Sequence, residues 1–175
     1  FVCEQPCETR CRRMLVDAPL NIRGIKRYAV DRAAADEVAV PEALPATGRR
    51  IAVVGAGPSG LTCAFFAALM GHEVHVYEGR TQLGGMMRFG IPSYRFPRER
   101  LDEDIAAILR AGNITVHAGE AVDAAALERL AADFDALYVA IGAHGAKTLR
   151  LENEGAAGVF SAVELLGAIG EGDAP

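Results

Sequence analysis

The chain has 175 residues, 51% of them hydrophobic and 23% charged, with a formal net charge of −5. That composition suits a soluble globular protein able to bury a core, and the length allows one domain or a domain with an arm. The negative balance leaves no basic footprint for nucleic acid or an anionic membrane surface. No apolar run reaches the ~18–20 residues needed for membrane insertion as a helix.

Four cysteines, three of them clustered, are too few for a disulfide scaffold and suit metal ligation in a reducing, cytoplasmic setting. The start at Phe1, with no initiator Met and no signal-like stretch, reads as part of a longer chain. Cys3, Cys7 and Cys11 form C-x3-C-x3-C, and Pro6 argues against one regular helix through all three. Thiolates on a short irregular loop suit an iron–sulfur cluster, whereas zinc sites more often show paired CxxC knuckles. Three small buried apolar residues is the plain alternative.

The spacing predicts a helix from Ile22 to Glu37, with Ile25, Tyr28 and Ala29 on its apolar face. Pro41, Pro45 and Gly48 mark a linker. The expected organisation is a helical cysteine-containing arm over 1–38, a linker over 39–48 and an α/β domain over 49–175.

Arg49 to Gly79 carries the most information. Ile51 to Val54 is an apolar, β-branched run of the kind buried in a parallel sheet. Gly55-Ala56-Gly57-Pro58-Ser59-Gly60 then supplies GxGxxG where the strand must turn into a helix. Gly55 permits the tight turn, Gly57 lets backbone approach a pyrophosphate, and Gly60 lets helix and strand pack closely. Backbone N–H groups and the helix dipole favour the diphosphate. Ala64, Ala67 and Ala68 give the helix a small face, and Glu73 to Tyr77 makes a second strand. Glu78 then stands where a carboxylate accepts hydrogen bonds from an adenosine ribose, with Gly79 after it. A carboxylate there repels a 2′-phosphate, so NADP is disfavoured while FAD and NAD remain.

Further on, Gly84-Gly85 lets backbone come close to a cofactor, and Pro92 and Pro97 hold the next loop extended. Arg98 to Ala111 reads as an amphipathic helix with Leu101, Ile105, Ile108 and Leu109 on one face and Gly112 as terminator. Ile114 to Ala118 is a short strand, and Asp123 caps a helix ending near Ala132. Asp135 to Ala143 reads as a buried strand that brings backbone at Ile141 and Gly142 to the carboxyl edge of the sheet. A last helix starts at Ser161. His72, His75, His117 and His144 look scattered, Cys63 looks like core packing, and no catalytic side-chain pair stands out.

The run Gln82 to Pro97, with the cysteine run Val2 to Arg13 and the sequel Asp17 to Ile22, resembles the glutamate synthase small-subunit family. That family includes the amino-terminal flavin module of dihydropyrimidine dehydrogenase. The strand Asp135–Ala143 and the segment Glu154–Ala162 add to the likeness. The resemblance implies a Rossmann-like FAD-binding domain preceded by a small α-helical iron–sulfur arm. Arg80, Gly85, Met86 and Arg95 would line the FAD site, Arg95 contacting diphosphate or flavin, and Val122 would meet the adenine through its backbone. Cys3, Cys7 and Cys11 would help hold [4Fe–4S] clusters completed by upstream cysteines, although Lys26 stands where some relatives carry a Gln or Glu ligand.

Function, on this likeness, is that of the flavin module of an NAD(P)H-dependent oxidoreductase. NAD(P)H would dock on a second Rossmann domain outside this chain, and electrons would leave through iron–sulfur clusters to a partner oxidoreductase subunit. The stretch alone would show little NAD(P)H oxidation. Two alternatives stand beside this reading, a non-catalytic electron-transfer or docking subunit and an NAD-binding domain.

Overall fold

The structure, a computed structural model, describes residues 1–33 and 39–172. The chain divides into two compact units, Phe1–Ala39 and Val40–Pro175.

In the first unit, Pro6 starts a single helical turn, α1 (Pro6–Thr9), rather than interrupting one. Its missing N–H is no loss at that position. A 3-10 turn follows at Arg12–Leu15, then α2 (Ile22–Arg32), whose first turn is capped by the Asn21 side chain accepting from the Gly24 amide at 2.9 Å. Ala33 is already extended, so α2 ends short of the expected Glu37, which lies outside the described residues. The expected apolar face is not a packed one: Ile25 is 65% and Tyr28 60% exposed, and Ala29 is exposed too. A one-turn α1 is too small to cover it, and the Tyr28 ring instead carries the Arg32 guanidinium at 3.4 Å.

The second unit is built on a four-stranded parallel sheet ordered β3-β2-β1-β4, with β1 (Arg50–Val54), β2 (Glu73–Glu78), β3 (Ile114–Ala118) and β4 (Ala136–Val139). Register pairs Val53 with Val76 and Val76 with Val116, so these side chains share one face. Val53, Val74 and Val76 are fully buried there. Helix α3 (Pro58–Leu69) packs on that face through Gly60, Leu61, Ala64, Ala67 and Ala68, all buried, with α5 (Arg98–Leu109) beside it. Small residues are what let helix and sheet approach this closely. Residues 40–48 are tied to the carboxyl end of α3, with the Leu44 amide donating to Leu69 O and the Thr47 amide to Gly71 O.

Two sequence expectations change here. The strand in Asp135–Ala143 is shorter and is an edge, not a buried core strand: Tyr138 is 40% and Val139 51% exposed. Its apolar side chains have β1 on one side only. The histidines are not all scattered either. β2 and β3 set His75 Nδ1 3.0 Å from His117 Nε2, with Glu73 Oε1 2.8 Å from His75 Nε2 and Tyr77 stacked on His117. Parallel register brings these side chains onto the face opposite α3, where Phe134 lies edge-on to His75. The His75 hydrogen bond is the main cause that holds the Glu73 carboxyl below its usual range.

The remaining helices are α4 (Met86–Phe89), α6 (Ala124–Asp133) and α7 (Ala162–Glu171). As expected, Asp123 caps α6, accepting from the Ala126 amide, and the last helix starts at Ser161, whose side chain accepts from the Glu164 amide. No helix among the described residues is long and apolar enough to cross a membrane.

Candidate dinucleotide site

A cleft of about 490 Å³ opens at the carboxyl edge of the sheet, between the loops that follow β1, β2, β3 and β4. This is where parallel α/β sheets bind ligands. Most residues singled out from sequence line it: Gly55, Gly57, Pro58 and Ser59 after β1, then Glu78 at the end of β2 with Gly79 and Arg80 after it. Gly85 and Met86 come from the second glycine pair, Val122 from the β3 loop, and Ile141 and Gly142 from the end of β4.

Three others stand behind the wall. Ala56, Gly60 and Gly84 are buried, and the Gly84 amide donates to Ala56 O at 2.9 Å, lacing the two glycine loops together. Gly60 is obligatory for packing, since a Cβ there would lie 1.8 Å from Gly55 O. Gly55, at φ +105, would drive a Cβ to 2.4 Å from Ala140 O.

Gly57 is different. A Cβ there would meet only Gly85 Cα, at 3.7 Å, an ordinary contact. The space above it is open, and nothing in the chain's own packing requires glycine at that position. The first amides of α3 face this space, ahead of the first helical hydrogen bond from Leu61 N to Gly57 O. A flat, anion-seeking cradle is thus formed where a diphosphate would lie.

Glu78 is held in place before any ligand arrives. Its Oε2 accepts from the Ala56 amide at 2.8 Å and its Oε1 from the Arg80 amide at 2.9 Å. The β3 loop is tied to the same turn, with Glu120 N donating to Glu78 O and Gly119 N to Arg80 O.

Arg95 is placed elsewhere. It is exposed in the turn Pro92–Phe96 and is not among the cleft-lining residues, because the side chain that anchors this turn is Phe96, 3% exposed. Among the described residues that line the cleft, Arg80 is the only Lys or Arg. Its guanidinium lies 4.0 Å over the Phe89 ring and is ion-paired with Glu171 of α7.

Several side chains were not legible as site or scaffold residues. Tyr77 and Glu120 line the cleft, as does His144. Burial, with Glu120 nearby, pushes the Tyr77 phenol up. Arg88, 6% exposed, donates to Leu83 O and pairs with Asp102, while Arg98 donates to the Met87 and Ile91 carbonyls. These two arginines shape the segment that carries Gly85 and Met86. A cation inside an otherwise apolar loop was the available sign, and it resembles any surface arginine until the carbonyls are in place.

In the first unit, Cys3, Cys7 and Cys11 are free thiols. Among the described residues no three His, Cys, Asp or Glu side chains gather to hold a metal ion. By themselves the three thiols do not form a cluster site; the expected clusters would be completed by upstream cysteines. Cys63 is half-buried in α3, and burial pushes its thiol up.

A parallel sheet, a glycine turn opening a helix and a fixed carboxylate at the end of the second strand define a Rossmann-like dinucleotide-binding domain. Residues 53–114 match the family model of the NAD(P)-binding Rossmann-like domain. Over part of their length, the chain is similar to glutamate synthase small chains and NADPH-Fe(3+) oxidoreductase beta subunits. It is 40% identical over 156 residues to the NADPH-Fe(3+) oxidoreductase subunit beta of Geobacter sulfurreducens, covering 87% of this chain and 23% of that protein. It is 34% identical over 168 residues to the glutamate synthase [NADPH] small chain of Mycobacterium tuberculosis, covering 94% of this chain and 34% of that one. The chain therefore spans about a quarter to a third of the length of these relatives. A solved 2-naphthoyl-CoA reductase complex aligns with a TM-score of 0.62 at 25% identity, over 78% of this chain and 20% of that chain.

Proposed function

We propose that the second unit is the FAD-binding part of an NAD(P)H-linked oxidoreductase working in the cytoplasm. The observation that carries this reading is Gly57, glycine with open space above it, set between the α3 amides and the pinned carboxylate of Glu78. Gly57, Ser59 and the α3 amides hold the diphosphate, Glu78 receives the adenosine ribose, and backbone at Val122 meets the adenine. Ile141, Gly142 and Met86, which line the same cleft, would hold the flavin end. When bound, FAD supplies the redox chemistry, for which no side chain here is suited. The chain's own residues bind and orient it.

The relatives' names, NADPH-linked oxidoreductases divided into subunits, support a nicotinamide nucleotide as electron donor and a partner oxidoreductase subunit as acceptor. NAD(P)H would be held outside these residues. The cysteine arm is assigned no electron step on its own, since its thiols do not converge and a cluster there would need the upstream cysteines.

The test is a titration of FAD by quenching of flavin fluorescence, with NAD and NADP as competitors. FAD should bind, NAD should displace it weakly, and NADP should displace it least because the Glu78 carboxylate faces its 2′-phosphate. NAD binding tighter than FAD would shift the assignment to a nicotinamide site.

A further inference from the structure

The cleft is poor in positive charge for a site that must hold a diphosphate. Two carboxylates line it, Glu78 and Glu120, against one guanidinium among the described residues, that of Arg80. Glu78 is already engaged by two amides, but Arg80 is engaged by a competitor: its charge is met by Glu171, the last residue of α7.

Helix α7 is placed to make that pairing. A second groove, sharing Arg80, Met86 and His144 with the cleft, is walled by α7 through Val163, Glu164, Gly167 and Ala168. The helix comes close through two glycines. A Cβ at Gly167 would lie 3.8 Å from Arg80 Nη2, and one at Gly170 would lie 3.2 Å from Phe89 Cα. Residues 140–161, which lead to α7, contain no helix or strand, and Leu149, Leu151 and Phe160 there are exposed. The helix is therefore held by its own docking contacts more than by its connection.

We propose that Glu171 is a resident competitor for Arg80. The diphosphate of an adenine dinucleotide and the α7 carboxylate draw on the same guanidinium, so filling the cleft loosens α7 and undocking α7 favours filling the cleft. This rests on the reading of the cleft as a dinucleotide site. Linkage makes the two effects equal in size. Both partners are partly exposed, with side-chain exposures of 33% and 46%, so the coupling is small.

The experiment uses the 175-residue chain and ADP, which carries the diphosphate common to FAD and NAD. Calorimetric titration compares wild type, E171Q, R80Q and the double variant. E171Q should bind ADP about two- to fivefold tighter, the range of an exposed ion pair. R80Q should bind more weakly, and adding E171Q to R80Q should change nothing further. In parallel, ADP should speed tryptic cleavage at Lys147 and Arg150 in wild type but not in R80Q. Unchanged or weaker binding by E171Q overturns the proposal, because Glu171 would then be idle or would be positioning Arg80 for the ligand. If wild type binds ADP and G57A does not, the cleft stands as the binding site even when E171Q overturns the competition. No ADP binding by any variant overturns the dinucleotide reading itself, and this inference with it.

Discussion

A methyl group on Gly57 and one on Gly60 meet opposite surroundings, and that contrast separates binding from folding. At Gly60 the added carbon would strike Gly55 O at 1.8 Å, backbone that cannot move without opening the β1–α3 turn. G60A should lose about 3 kcal/mol or more of stability, the upper range for overpacking. At Gly57 the same carbon fits, so G57A should unfold at the wild-type denaturant midpoint yet lose most of its affinity for FAD. Equal loss of stability in both variants would show that Gly57 serves packing after all.

Residues of this motif were legible in the sequence because Gly55 and Gly60 answer local backbone demands and Gly57 leaves room for a ligand. Arg80 and Arg95 were less so. The resemblance placed both at the cofactor, but the turn anchored by Phe96 keeps Arg95 off the cleft lining and leaves Arg80 as its cation. Which arginine faces the cleft depends on tertiary packing, and spacing alone does not encode it.

At the scale of elements, β1, α3, β2, α5, β3 and α6 follow their sequence patterns closely, since each has a cap, a period or a β-branched run of its own. β4 does not, because burial of an apolar strand depends on what lies on its far side. What fixes β4 is its first residues. Asp135, just before the strand, accepts from the Arg50 amide at 2.8 Å and from Arg49 Nη1 at 2.6 Å, joining the starts of β1 and β4. These bonds, the Arg50 amide first, hold the Asp135 carboxyl below its ordinary range. A carboxyl lowered by folding stabilises the fold in full above its unfolded pKa and loses that contribution as pH falls through the lowered folded value. D135N should therefore be less stable than wild type near neutrality, and the gap should close as pH falls below the ordinary carboxylate value of about 4. Chemical denaturation across that range measures it, and a gap independent of pH would show that the Asp135 charge does not hold β4 to β1.

For the whole molecule, the two units differ in how much of their role was legible. The second unit declares itself through one supersecondary motif, and the structure adds only the side chains that shape its walls. The cysteine arm declares itself by three thiols, yet those thiols do not converge, because α1 is a single turn starting at Pro6 that leaves Cys3 before it and Cys11 after it. Three thiols spaced in sequence do not make a cage by themselves, and the clusters expected of this arm would be completed by cysteines upstream.

The central claim is that the 175-residue chain carries a working FAD site. It is tested most directly by mixing the chain with excess FAD, passing it through a desalting column and recording the visible spectrum beside G57A treated identically. Flavin absorbance that elutes with wild type and is missing from G57A is the predicted result. Flavin absent from both, or present equally in both, would contradict the claim.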